Sequence, residues 1–240
     1  AGGGEGMARN ENVLLGVIAA ARGRYGDAVA LLEVAVEGFR AQGPKARAVM
    51  AENHLARVWS ELGQSARARQ ALQTPTDGEV DFVVCTRLAA ALQVTPSARA
   101  AEALRQHLQR PRLRTAQRLL GQLALARHDG DSLGGADASD RCTAALQEAL
   151  AKGLDGVVAQ AQALLVRLKC QAGDTQGAAA LACQALPGFA IELFPPEVAL
   201  WRAQALAAAG DTMAATQASD AALAWLASAE VPPPFADAFR

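Results

Sequence analysis

The densest group of potential ligands in the sequence is His128-Asp129-Gly130-Asp131, inside the run HDGDSLGGADASD (128–140). A hard cation wants several carboxylates converging from one tight loop, and the longer ordered set that ends in a glutamate is missing here. The run reads instead as an exposed insertion whose Asp137 or Ser139 caps the following helix, and no metal site is expected. Nucleophilic catalysis needs an activated nucleophile held beside a base. His54, His107 and His128 fall in different parts of the chain, and neither a Gly-x-Ser-x-Gly nor a Cys-His arrangement stands out, so no catalytic residue is expected. GRYGD (23–27) and GDTQG (173–177) lack the GxxxxGK[ST] pattern and a preceding strand, which makes their glycines turn devices and not a phosphate cradle. No cofactor is expected. Cys85, Cys142, Cys170 and Cys183 are too widely spaced for a zinc knuckle or a disulfide framework and are expected as buried free thiols.

The elements that carry these residues follow from composition and period. The chain has 240 residues, 51% of them apolar but only 4% aromatic, so alanine and leucine supply most of the core. An alanine-rich apolar stretch, a glycine turn and a second alanine-rich stretch recur at residues 19–39, 56–72, 165–186 and 202–223. Recurrence of this kind predicts a stack of helical pairs, each burying its apolar face on its neighbours. After Gly23, the residues Ala28, Leu32, Ala35 and Phe39 return at helical spacing, and Asp27 is placed to accept from the free amides of its helix. Val80–Val84 is too short to count as a strand and runs into a helical pattern, so no sheet is expected. Two units depart from the glycine turn: one reverses through Thr95-Pro96-Ser97, and the pair spanning Leu113–Ala151 is expected to carry an enlarged loop at 128–140. Basic and acidic residues number 23 and 24, for a net charge of -1, which gives no field for steering onto nucleic acid or a membrane surface. No run has the roughly 20 apolar residues of a membrane helix, and AGGGEGMARNEN is not built like a signal peptide. The expected organisation is a linker over 1–9, a single helical repeat domain over 10–230, and a Pro-rich tail over 231–240, all cytoplasmic and cut from a longer polypeptide.

Leu15-Gly16, Gly23, Tyr25, Ala28, Leu32 and Ala35 resemble the tetratricopeptide repeat, in which small residues at the helix crossing let two helices approach closely. Leu55-Ala56, Trp59, Gly63, Ala68 and Leu72 stand at corresponding places in the second unit; Leu165, Gly173-Asp174, Ala178 and Ala185, then Gly210-Asp211, Ala215 and Ala222, do so in the fifth and sixth. Gly23 and Gly63 are 40 residues apart and Gly173 and Gly210 are 37 apart. Both exceed the regular period of about 34. Such long units, with a tail like 199–239, are similar to the arrays of large bacterial signalling ATPases and transcriptional regulators. The resemblance implies an all-α, right-handed superhelical solenoid of about six antiparallel pairs. It also implies a groove lined by the first helix of each pair, at Val13 and Val17, Asn53 and Arg57, Cys85 and Ala89, Arg118 and Gln122, Ala163 and Arg167, and Leu200 and Gln204. The polar members, Asn53, Arg57, Arg118, Gln122, Arg167 and Gln204, are the candidate binding residues. Arg57, Arg118 and Arg167 would clamp carboxylates of an acidic peptide, or else lie over the alanine-rich surface with their heads in water. Val13 and Val17 do not fit the Lys and Asn carboxylate clamp for chaperone tails. Trp59, Trp201 and Trp225 would anchor a partner or, as their apolar register favours, fill the core. The implied role is a non-catalytic interaction or sensor scaffold whose partner is a protein, a peptide or another domain of the same polypeptide, with neither nucleic acid nor membrane. A small-ligand sensor controlling a parent ATPase and a self-association module forming a homodimer are the alternatives.

Overall fold

The computed structural model describes residues 3–133, 136–184 and 196–228. Its helices are α1 (Gly3–Ala21), α2 (Tyr25–Gln42), α3 (Lys45–Glu61), α4 (Ser65–Ala71), α5 (Asp81–Val94) and α6 (Ala98–Leu108), followed by α7 (Thr115–Leu133), α8 (Ala136–Ala151), α9 (Asp155–Gln171), α10 (Thr175–Ala182), α11 (Pro196–Ala208) and α12 (Thr212–Ser228). There is no strand among the described residues; Val80 is the N-cap of α5. No helix among them is long and apolar enough to cross a membrane. The helices group into two compact units that divide between Leu113 and Arg114.

In the first unit α1 packs on α2, α2 on α3, and α3 on both α4 and α5, with α6 against α5. Small residues set the α1–α2 crossing: a methyl group on Gly16 would sit 2.8 Å from Leu32 Cγ and 3.3 Å from the Ala28 carbonyl oxygen. Leu32, Ala28 and Ala35 are fully buried there. Helix α1 begins at Gly3, within the stretch expected to be linker. Its first turns are tied down from outside, because Arg9 lies against Gly38 and its Nη2 donates to Gln42 Oε1 at 3.4 Å, while Arg47 Nη1 donates to Asn10 Oδ1 at 3.2 Å. The second unit is built the same way, α7 on α8, α8 on α9, α9 on α10, and α11 against both α9 and α10. Leu119, Leu123 and Ala126 of α7, Cys142, Ala145 and Ala149 of α8, and Leu164, Leu165 and Leu168 of α9 form one core. Val166, Ala178, Ala205 and Ala215 continue it through α9 to α12.

Reversals at Gly23, Gly63, Gly153, Gly173 and Gly210 share one device. Each glycine has a φ between 62° and 88° and donates to the carbonyl three residues back, while the residue after it donates to the carbonyl five residues back. This pattern closes the orphan carbonyls of the preceding helix, and the left-handed backbone it needs is open to glycine. Gly153 joins α8 to α9 and was not expected as a turn. Asp174 and Asp211 cap the helices after two of these turns, α10 and α12, and Ser97 caps α6 after the Thr95-Pro96-Ser97 turn; their side chains accept from the Gly177, Ala214 and Ala100 amides. Asp27 is not a cap: Arg24 occupies that place without a side-chain bond, and Asp27 pairs with it at 3.3 Å from inside the first turn.

The enlarged loop at 128–140 is corrected by the structure. Helix α7 runs through His128 to Leu133 and α8 starts at Ala136. Two long-range ion pairs hold the acidic turn helical, Asp129 with Arg141 of α8 and Asp131 with Arg167 of α9. Gly130 lets α9 come close: a methyl group there would lie 2.3 Å from Leu168 Cδ2. The Pro-rich segment 231–240 and the side chains of Leu200 and Trp225 lie outside the described residues.

Candidate binding surfaces

The residues expected to line a groove fall in both units. Asn53 and Arg57 stand one turn apart on α3. Asn53 is buried, its Nδ2 donates to Thr86 Oγ1 of α5 at 3.4 Å, and its Oδ1 has no partner. Arg57 is exposed, and its charge adds to the main effect of burial in lowering the His54 pKa to about 4. In the second unit Arg118 and Gln122 are half-buried on α7, and Gln204 is exposed on α11. Arg118 is held by Glu148 of α8, and Arg167 by Asp131 of α7. Two of the three arginines expected to clamp a ligand's carboxylate thus already hold carboxylates of their own chain. The sequence gives no local sign of this, because the partners are 30 and 36 residues away.

Arg167 also brings the first helices of the second unit together around an indole. Trp201 of α11, half-buried, has the Arg167 guanidinium of α9 5.1 Å from its ring centroid and that of Arg127 of α7 at 5.9 Å. Both are within the range where a cation is drawn to the ring face. Burial lowers the pKa of the neighbouring Arg202, whose Nη2 donates to the Ala182 carbonyl. This arrangement fixes α7, α9 and α11 in register.

The first unit contains a buried charge centre. Glu52 of α3 is fully buried, and its carboxylate accepts from Arg40 Nε of α2 at 2.8 Å, from the Thr74 amide at 3.3 Å, from the Thr74 hydroxyl, and from Arg87 of α5. Arg87 is itself buried, and its Nε and Nη1 have no partner. A glutamate in a helix reads from sequence as solvated, and nothing local marks Glu52 as the point where three elements meet. A buried carboxylate with this many donors keeps its charge compensated.

Beside this centre lies a cleft of about 320 Å³ between α2 and α4, floored by α3. Val36, Leu55, Trp59 and Ala71 supply its apolar surface. Its rim carries Glu33 and Glu37 on α2, and Arg67, Gln70 and Gln73 on and after α4. Arg67 lies over the Trp59 ring, 4.6 Å from the centroid, and Arg40 reaches from the rim down to Glu52. The cleft therefore pairs an apolar floor with a rim of both charges. Among the thiols, Cys142 and Cys85 are buried as expected, and burial raises their pKa to about 12 and about 11. Cys183 is exposed, against expectation, because α10 ends at Ala182 and Cys183 follows as its C-cap; Cys170 of α9 is half-buried at the edge of the core. Among the described residues no group of three or more His, Cys, Asp or Glu converges as a metal-ligand set. Comparison with protein-family models, curated proteins and solved structures found no match.

Proposed function

We propose that the chain is a non-catalytic scaffold of tetratricopeptide-like helical pairs, α1 with α2 through α11 with α12, wound as a right-handed superhelix, that binds a peptide segment of a partner protein. Support for the pairing comes from the contacts within each unit: first helices pack on the next first helix, α1 on α3 and α3 on α5, then α7 on α9 and α9 on α11. Membership in a larger cytoplasmic signalling or transcriptional regulator belongs to the same reading, on the residues that carry the resemblance. The observation that carries the binding role is the cleft over Trp59. Its 320 Å³ suits one or two side chains, at the small end of sites that take a free ligand, and its rim offers donors and acceptors of both signs for a peptide backbone and its flanking charges.

The test is a peptide-array screen with the whole chain, followed by titration of the selected peptide against Arg67→Glu and Glu37→Arg. Both side chains are exposed, so the fold is retained. The expected result is a loss of affinity of about tenfold for each reversal, with a partial recovery when the peptide's charges are reversed in turn. A peptide that binds both variants as tightly as the unmodified chain removes the cleft from the site.

A further inference from the structure

Counting back from Gly23, Gly63 and Gly173 places α1, α3 and α9 in one register. Met7, Leu14, Leu15 and Ile18 of α1 stand 16, 9, 8 and 5 positions before Gly23; Val157, Leu164, Leu165 and Leu168 of α9 stand at the same distances before Gly173. In α9 these four are at most 6% exposed, because α7 and α8 of the preceding pair cover them. Leu55 and Val58 of α3, at the last two of these positions, are also at most 6% exposed. In α1 the same positions are apolar yet 74%, 65%, 44% and 37% exposed. Met7, Leu14 and Ile18 fall within an arc of about 40° on the helix. Among the described residues this stacking face has no neighbour stacked on it, and what the register calls for there is the second helix of another pair.

Helix α12 carries an exposed leucine at the matching place of a second helix. Leu223 of α12 stands 13 residues after Gly210, as Val36 of α2 stands 13 after Gly23. Val36 is 4% exposed and shares the apolar lining of the cleft with Leu55 and Trp59 of α3, whereas Leu223 is 43% exposed. We propose that α12 of one copy stacks on the Leu14–Ile18 face of α1 of a second copy, Leu223 meeting Leu15 as Val36 meets Leu55. The contact continues the repeat pattern and rests on the repeat reading given above. It is heterologous, each copy using a different end, and so does not close on itself. Glu11 stands where α3 and α9 have the fully buried Ala51 and Ala161, and this charge at the seam keeps the association weak and reversible.

Sedimentation velocity of the whole chain under reducing conditions tests it. The weight-average mass rises with concentration above the 24.8 kDa of one chain. Leu14→Glu/Leu15→Glu and Leu223→Glu, all at exposed positions, keep their helicity and each stay at the mass of one chain. Mixed, they form a dimer through the one intact pair of ends and stop there. A wild-type chain that stays at the mass of one chain at every concentration overturns the proposal, as does a mixture that does not dimerise. Self-association that persists in Leu223→Glu also overturns it, since the contact would then join α1 to α1. The scaffold reading is judged separately by peptide titration at the cleft, which neither variant touches.

Discussion

Glu52 shows what a single side chain can demand of this fold. Its carboxylate is the partner of a buried arginine, so Glu52→Ala leaves the Arg87 charge without compensation and is expected to cost about 3–5 kcal/mol in denaturant unfolding. Adding Arg87→Met recovers a large part of that loss, and a double variant no more stable than Glu52→Ala alone would show that Arg87 draws its compensation elsewhere. His54 gives the fold a pH dependence. Folded, it stays neutral down to about pH 4, because burial first and Arg57 second disfavour the imidazolium. The unfolded chain takes up the proton near pH 6.5. Stability from this site is therefore full above about pH 6.5 and falls toward pH 4, by about 3 kcal/mol at the most. In His54→Leu, a substitution that follows Leu14 and Leu164 at the equivalent positions, the urea midpoint should drop less between pH 7.5 and 4.5 than in the unmodified chain. Thiol labelling reads burial directly. Cys183 is expected to react promptly, Cys170 more slowly, and Cys85 and Cys142 only on unfolding, as a timed titration with a chromogenic disulfide would show.

Between helices, stability turns on how close two backbones come. Gly130→Ala is expected to destabilise by about 1–3 kcal/mol, since Leu168, 1% exposed, must give way inside the core to admit the methyl group. Ala28→Leu, at the α1–α2 crossing, should cost a similar amount, and Ala30→Leu on the exposed side of the same helix almost nothing; equal denaturation midpoints for the two would place the crossing elsewhere. The sequence speaks clearly about such local matters. Turns at Gly23, Gly63, Gly173 and Gly210 are legible because glycine after an alanine-rich stretch has one main use. Gly153 has the same setting in Ala151-Lys152-Gly153 but joins one pair to the next, where the pattern of two stretches and a turn directs no attention. What stays hidden is non-local. Asp129 and Asp131 look like loop residues among glycines, and they become helical through arginines 12 and 36 residues away. For the same reason the cleft was not visible: Trp59 and Arg67 lie on different helices, and their stacking depends on how Gly63 reverses the chain.

As a whole, the molecule spreads its apolar surface over many small contacts, with cores of alanine, leucine and valine in each unit. Each unit has a core of its own, so a chain ending at Leu113 is expected to keep its helicity and unfold cooperatively; a circular dichroism melt without a transition would show that α1–α6 need the rest of the chain. Charge is nearly balanced over the molecule, and association driven by stacked apolar ends should depend little on salt. The five glycine reversals carry a further consequence, for chirality. At Gly153, Gly173 and Gly210 a methyl group in the L position would meet nothing within 4 Å, so space does not limit an L residue there. The restriction is handedness alone: an L-alanine must take a backbone conformation that its own Cβ opposes by about 1–2 kcal/mol, whereas the mirror-image residue finds that conformation natural. A semisynthetic chain with D-alanine at 173 should therefore be more stable than the glycine chain by about 0.4–1 kcal/mol, through the freedom it removes from the unfolded state, and L-alanine there should be less stable. The turns of this all-L protein are its right places for residues of the other hand.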